Sequence, residues 1–377
     1  MRWVVALLGV VVVAVAVAAP SVSARVATKP WPPATGPGQL FIHFGEEHIN
    51  DEDGATLLPK VAAEVARYKP VLVTTSGDKA NDGVDAQFTL WDGAMAALDR
   101  AGVPLLAGAG NHDRTAPAGI LPGTLGLFEL TTPESFNVYR AHFAKRPYPW
   151  GDGKPYPGIG PAERPDDDPA GAAATYYADA GNVRWIFLDN SCWSLSSCDS
   201  FQLRADGGRG PQLQFLRAKA AEATELGKLV FVVMHIPTED PRDQSYTDST
   251  AQNHVMGKGL SPRSADNQAF ERAAEESGVD AVFLGHIKGQ FLYRGRGDIP
   301  YYIDGGAGGE LYTTGPVGTD HGYWHGFRLV RVDGQKVTTD TVPILVENGI
   351  TIEGPDRVAA GTVATFAGFG HQPVFKD

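Results

Sequence analysis

Short β-branched apolar runs alternate with segments of helical periodicity between residues 40 and 306, and this rhythm narrows the possible folds more than any other feature of the chain. The runs LFIHF (40–44), PVLVTT (70–75), VPLLAGA (103–109), VRWIFLD (183–189), KLVFVVM (228–234), DAVFLG (280–285) and PYYIDGG (300–306) read as strands. Between several of them lie LLPKVAAEVARY, FTLWDGAMAALDRA, PQLQFLRAKAAEATEL and NQAFERAAEESG. These carry apolar residues at three- and four-residue spacing, and most end at a glycine able to cap a helix. Strand, helix, strand repeated in this way predicts an α/β protein whose helices cover a largely buried sheet.

Other segments depart from the rhythm. Residues 1–24, MRWVVALLGVVVVAVAVAAPSVSA, have one arginine, an apolar stretch and small residues at Val22 and Ala24, the pattern of a secretory signal peptide. The alternative is an uncleaved anchor, but the apolar stretch falls a little short of the roughly 20 residues a spanning helix needs, and no integral membrane association is expected after cleavage. Residues 25–37 form a Pro-rich lead-in, and 38–345 the main domain. Within that domain, residues 114–175 are rich in Pro, Gly and Asp and read as an elaborated loop near the site. Residues 346–377 change to short alternating strands, either a small β appendage or the first strands of a sandwich. The two cysteines, Cys192 and Cys198, are expected to form a short disulfide in an oxidising compartment, with two thiols or a soft-metal pair as the alternative. The formal charge of −12 argues against nucleic acid or an anionic membrane as a partner.

In open α/β sheets reactive groups gather beyond the carboxyl ends of the strands. The first run is followed by Glu46, Glu47 and His48, and the second by Asp78, Asn81 and Asp82. Asn111, His112 and Asp113 follow the third, His235 the fifth, and His286 and Lys288 the sixth. A histidine after one strand is usually a hydrogen-bonded structural residue, and Gly-Asp alone is a common turn. Five polar strand ends in one chain point instead to a site of mixed oxygen and nitrogen ligands, suited to Zn, Mn or Fe.

The ordered blocks SGDKAND, AGAGNHD, MHIP and LGHIK, with the later GGAGGELY and HGYWHGFRLVRVDG, resemble the calcineurin-like metallophosphoesterase superfamily over residues 38 to 345. The resemblance implies a four-layer αββα sandwich of two mixed β-sheets flanked by helices, holding one or two divalent metal ions at the strand ends. It implies that Asp78 bridges two ions. Asn111, His235 and His286 would complete the second position. Glu46, His48 and Lys288 stand where the family places Asp, His and His around the first. A glutamate keeps the carboxylate, whereas an ammonium has no lone pair, so the first position is weakened or empty. Lys288 either holds a substrate phosphate or turns to solvent. No tyrosine follows Asp78 at the spacing of purple acid phosphatases, which disfavours that subgroup.

The implied activity is hydrolysis of a small phosphomonoester or phosphodiester by metal-activated water, outside the cytoplasm. His112 would protonate the leaving group or orient phosphate, with Asp113 holding its tautomer. Glu47 and Asp51 would be substitute ligands or a solvated acidic loop. His321 and His325 read as strand residues outside the site. The alternative function is a catalytically degenerate member, binding a ligand or bracing a surface with one metal.

Overall fold

The structure, a computed structural model, describes residues 38–114, 133–143, 145–146, 156–163, 174–191, 211–242, 265–311, 320–344, 351–353 and 367–369. The signal peptide, the lead-in, Cys192 and Cys198 lie outside the described residues. In chain order the elements are β1 (Gln39–Phe44), α1 (Glu52–Tyr68), β2 (Leu72–Thr75), α2 (Asp85–Ala101), β3 (Leu105–Ala107), α3 (Pro133–Phe143), β4 (Ile159–Glu163), β5 (Tyr176–Ala180), β6 (Val183–Phe187) and α4 (Pro211–Glu225). Then follow β7 (Leu229–Val233), α5 (Ala265–Glu276), β8 (Ala281–Leu284), β9 (Gln290–Arg294), β10 (Pro300–Asp304), β11 (His321–Gly322), β12 (Gly326–Asp333), β13 (Lys336–Pro343), β14 (Thr351–Glu353) and β15 (Ala367–Phe369). Among the described residues, no helix is long and apolar enough to cross a membrane.

Two mixed sheets form the centre. One has the order β13-β12-β1-β2-β3 and the other β11-β9-β10-β8-β7-β6-β5-β4, while β14 and β15 pair with each other in a separate two-stranded ladder. β1, β2 and β3 run parallel, as do β6, β7, β8 and β10, and the remaining pairings are antiparallel. Alternation of side chains sorts the apolar residues into two cores. Trp185, Phe231 and Phe283 face the first sheet, where Phe41 meets Trp185 with ring centroids 5.5 Å apart. Their neighbours Ile186, Val230, Val232 and Val282 face the opposite way, onto Leu216 of α4 and Phe270 of α5. Leu58 and Val61 of α1 and Phe88 and Trp91 of α2 belong to the first core, on the outer face of the first sheet. The expected αββα sandwich is the result. Burying each of these large apolar side chains contributes roughly 1.5–3 kcal/mol.

A buried ion pair ties the sheets together beneath the strand ends. Arg328 of β12 donates from Nε to both oxygens of Asp304 at the end of β10, at 2.9 and 3.0 Å, and its guanidinium lies 4.4 Å over the ring of Tyr302. Burial pushes the Asp304 carboxyl up to about 7, even with Arg328 pulling it down.

The 114–175 segment, expected to be loop, contributes α3 and β4 among its described residues. Pro133 suits a first helical turn, and Tyr139 and Phe143, four residues apart, meet at a tilt with ring centroids 4.4 Å apart while packing on Phe88 and Trp91 of α2. His142 fastens α3 to α2 by placing its ring nitrogens 2.7 Å from Asp85 and 2.9 Å from Asp92, beside Lys145 and Arg146. Burial opposes a charge on this ring, but the two carboxylates outweigh it and raise its pKa above 6.5. A raised folded pKa means that the stability it adds is complete below about 6.5 and is lost as pH rises through the folded value. In urea unfolding, wild type is therefore expected to exceed His142→Gln by more at pH 6 than at pH 9. Equal differences at both pH values would show that the ring acts as a neutral spacer.

Candidate metal centre

Every polar strand end named from the sequence reaches one rim of the sandwich. The first loop is stitched to the second by backbone bonds from Glu46 N to Gly77 O (3.1 Å) and from His48 N to Asp78 O (2.9 Å). Of the six non-glycine residues with positive φ among those described, four are Glu46, His48, Asp78 and His286. Such backbone costs of order 1–3 kcal/mol per residue and persists where the surroundings over-determine it, commonly at functional sites. The second and third loops are equally close. A Cβ on Gly110 would sit 2.1 Å from Asp78 Oδ1, so glycine is required there.

Asp78 stands at the middle. Its Oδ1 accepts the backbone N–H of His112 at 2.8 Å, while its Oδ2 lies 3.2 Å from His235 Nε2 and 3.7 Å from His48 Nε2. His235 Nδ1 is 3.1 Å from the carbonyl of Ser76, which can only accept, so Nδ1 carries the hydrogen and Nε2 presents a lone pair. That lone pair faces Asn111 Oδ1 at 2.9 Å and His286 Nδ1 at 3.3 Å as well as Asp78. His48 repeats the pattern. Its Nδ1 bonds Asn81 Oδ1, because the Asn81 amide nitrogen donates to Asp51, and so its Nε2 faces Glu46 Oε2 at 3.1 Å and Asp78. Acceptors directed at acceptors in a buried site call for a cation between them. Two such clusters share Asp78: His48, Asp78 and His112 in one, and Asp78, His235 and His286 in the other. This donor set fits divalent ions bound by nitrogen and oxygen.

The electrostatics agree. Burial disfavours a charged His235, yet Asp78 and Glu46 raise its pKa to about 9. Burial likewise opposes ionisation of Asp78, but His235, His112 and His48 hold it well below the usual carboxylate range. A proton on His235 thus meets the demand for positive charge that an ion would meet.

Several roles differ from expectation. Asp113 does not hold the His112 ring. Its carboxylate accepts the backbone N–H groups of Asp78 (3.1 Å), Lys79 (2.8 Å) and Gly110 (2.9 Å) and pairs with the buried Lys79 ammonium at 3.1 Å. The carbonyl of Asn81 faces His112 Nδ1 instead, at 3.0 Å. Glu46 uses its extra methylene to reach across the rim, so that Oε1 accepts the backbone N–H of His286 at 2.6 Å while Oε2 faces His48. Glu47 fits neither expected role: it is buried, accepts from the Thr75 hydroxyl, and burial pushes its carboxyl up to about 8. Asp51 is half-buried rather than solvated. Lys288 does not turn to solvent; it is 9% exposed, with Nζ 3.9 Å from Asp51 Oδ2. His325 faces the carbonyl of Gly306 and His321 is exposed, both outside the two clusters.

Asn190 was not foreseen. Its Oδ1 accepts the backbone N–H groups of His235 and Ile236, each at 3.0 Å, and so fixes the strand end that carries a proposed ligand. The signal was present in Asp189 and Asn190, where the run at 183–189 ends, one more strand closing on polar residues.

A layered α/β sandwich with an acidic and imidazole cluster shared about one aspartate defines a metal-dependent phosphoesterase class. The profile of the calcineurin-like phosphoesterases matches residues 40–289, and the chain belongs to that family. Among solved structures, it is similar to a purple acid phosphatase from yellow lupin (Lupinus luteus), at 15% identity and a TM-score of 0.52, covering 83% of this chain and 52% of that one. The chain thus spans about half the length of the lupin protein. A dimetal phosphatase from Danio rerio is 13% identical with a TM-score of 0.48, covering 81% of this chain and 96% of that one. A 5'-nucleotidase from Candida albicans is 13% identical with a TM-score of 0.41, covering 83% of this chain and 52% of that one. No curated protein matches the chain in sequence.

Proposed function

We propose that this chain is an exported phosphoesterase that hydrolyses a small phosphomonoester or phosphodiester. The observation that carries this reading is the convergence of His48 Nε2 and His235 Nε2 on Asp78 Oδ2, with Asn111 Oδ1 and Glu46 Oε2 alongside. Asp78, Asn111, His235 and His286 would hold one divalent ion, and Glu46, His48 and Asp78 the other. Bound ions would supply Lewis acidity, bringing the ionisation of water near neutrality and neutralising phosphoryl charge.

The chain supplies the rest. Lys288, kept at the rim by Asp51, offers an ammonium to a non-bridging phosphoryl oxygen as a point charge. His112 lies edge-on to His48 at 4.8 Å, with its Nδ1 facing the Asn81 carbonyl, so the hydrogen is on Nδ1 when the ring is neutral. Protonated at Nε2 as well, the ring can give that proton to the departing alkoxide. The acidic balance of the chain favours a small substrate over nucleic acid, and the apolar leader at residues 3–19 supports export.

Leaving-group dependence tests this. His112→Ala should lower kcat for an alkyl phosphate by roughly 10²–10⁴-fold and for p-nitrophenyl phosphate by far less, because nitrophenolate needs no proton. Equal losses on both esters would assign His112 to phosphate orientation. No hydrolysis of either ester by the ion-loaded wild type would favour the degenerate binder, to which Lys288 at a ligand's place points.

A further inference from the structure

We propose that the two ion positions differ in affinity and that the Lys288–Asp51 ion pair sets the difference. The inference rests on reading the strand-end cluster as the family's metal centre. At one position Asp78 Oδ2, Asn111 Oδ1, His235 Nε2 and His286 Nδ1 meet, with neighbouring contacts of 2.9 to 3.3 Å. All four residues are buried. At the other, Glu46 Oε2 and His48 Nε2 face each other at 3.1 Å beside the shared Asp78. Glu46 cannot swing freely to improve that position, because its Oε1 is held by the backbone N–H of His286 at 2.6 Å.

Lys288 adds positive charge to the poorer position and no lone pair. Asp51 counters it in two ways. Its Oδ2 draws the ammonium to 3.9 Å, which offsets a charge that would otherwise oppose an incoming ion. Its Oδ1 accepts the amide N–H of Asn81, whose oxygen in turn accepts from His48 Nδ1 and keeps Nε2 turned toward Glu46 and Asp78. Lys288, Asp51, Asn81 and His48 therefore form one chain of contacts that ends on a ligand atom. Asp51 and Asn81 act as positioning residues for the looser ion, while the tighter one relies on Ser76 and Asn190 to hold His235.

The test is calorimetric titration of the chelator-treated full chain with Zn²⁺ and, separately, Mn²⁺. Wild type is expected to show two classes of site, or only the tighter class if the looser is too weak to register. Asp51→Asn should weaken the looser class by about 10–100-fold, the range seen when partners of metal ligands are removed, and leave the tighter class unchanged. Lys288→His should bring the two classes within about tenfold of each other. Lys288→Met removes the charge without adding a ligand and should strengthen the looser class, which keeps the test valid if the histidine variant fails to fold. Two equivalent classes in wild type, or an Asp51→Asn change shared equally by both, would overturn the proposal and leave the metal centre standing. A folded wild type that binds neither ion would instead remove the metal-centre reading itself.

Discussion

Asp78→Asn is expected to abolish phosphoester hydrolysis and ion binding together. Oδ2 of Asp78 faces both His48 Nε2 and His235 Nε2 while Oδ1 accepts the N–H of His112, and an amide has one oxygen for these two places and no charge. The expected loss in kcat on p-nitrophenyl phosphate is about 10³-fold, the upper range for removing a preorganised electrostatic contact at a reacting centre. The backbone should hold, because Asp113 still accepts the N–H groups of residues 78, 79 and 110. Unchanged circular dichroism with lost activity and lost ions is therefore the result to look for. A variant that kept its ions and a tenth of its activity would show that Asp78 does not bridge.

The second large effect is on stability. Arg328→Met should destabilise the chain by about 3–5 kcal/mol in urea unfolding at pH 8, because it strands the Asp304 carboxylate between the sheets. Asp304 is already pushed up to about 7 by burial with the guanidinium in place, so little else there offsets its charge. The double variant Arg328→Met with Asp304→Asn should recover much of the loss, since replacing both members of a buried pair is far cheaper than removing one. If the double variant were as unstable as the single, the packing of Arg328 on Tyr302 would matter more than the charge pairing.

The strands and the polar groups at their ends were legible because both depend on local text. An apolar run followed by Gly-Asp, Gly-Asn-His or Gly-His announces its own strand end, and Asp78, Asn111, His235 and His286 do meet where those ends converge. What the text concealed depends on residues far apart in sequence. Asp113 looked like the partner of the adjacent His112, but its carboxylate is taken by a loop 34 and 35 residues earlier, a contact that only the parallel pairing of β2 and β3 creates. Glu47 reads like Glu46 in the sequence, yet neighbours on a tight loop point to opposite sides, one to the rim and one to Thr75 under it. Asp51 found Lys288 across more than two hundred residues for the same reason. α3 was masked by the Pro- and Gly-rich text around it, since its helical period spans only 11 residues.

The decisive measurement is phosphoester hydrolysis by the full chain after chelation to below a tenth of an ion per molecule, and again after Zn²⁺, Mn²⁺ or Fe²⁺ is returned, with bound ions counted at each step. The structure leads us to expect no turnover without ions and turnover that rises with the ions bound. Undiminished turnover in the ion-free protein would contradict the account, and so would ions bound at the Asp78 centre with no hydrolysis of any phosphoester.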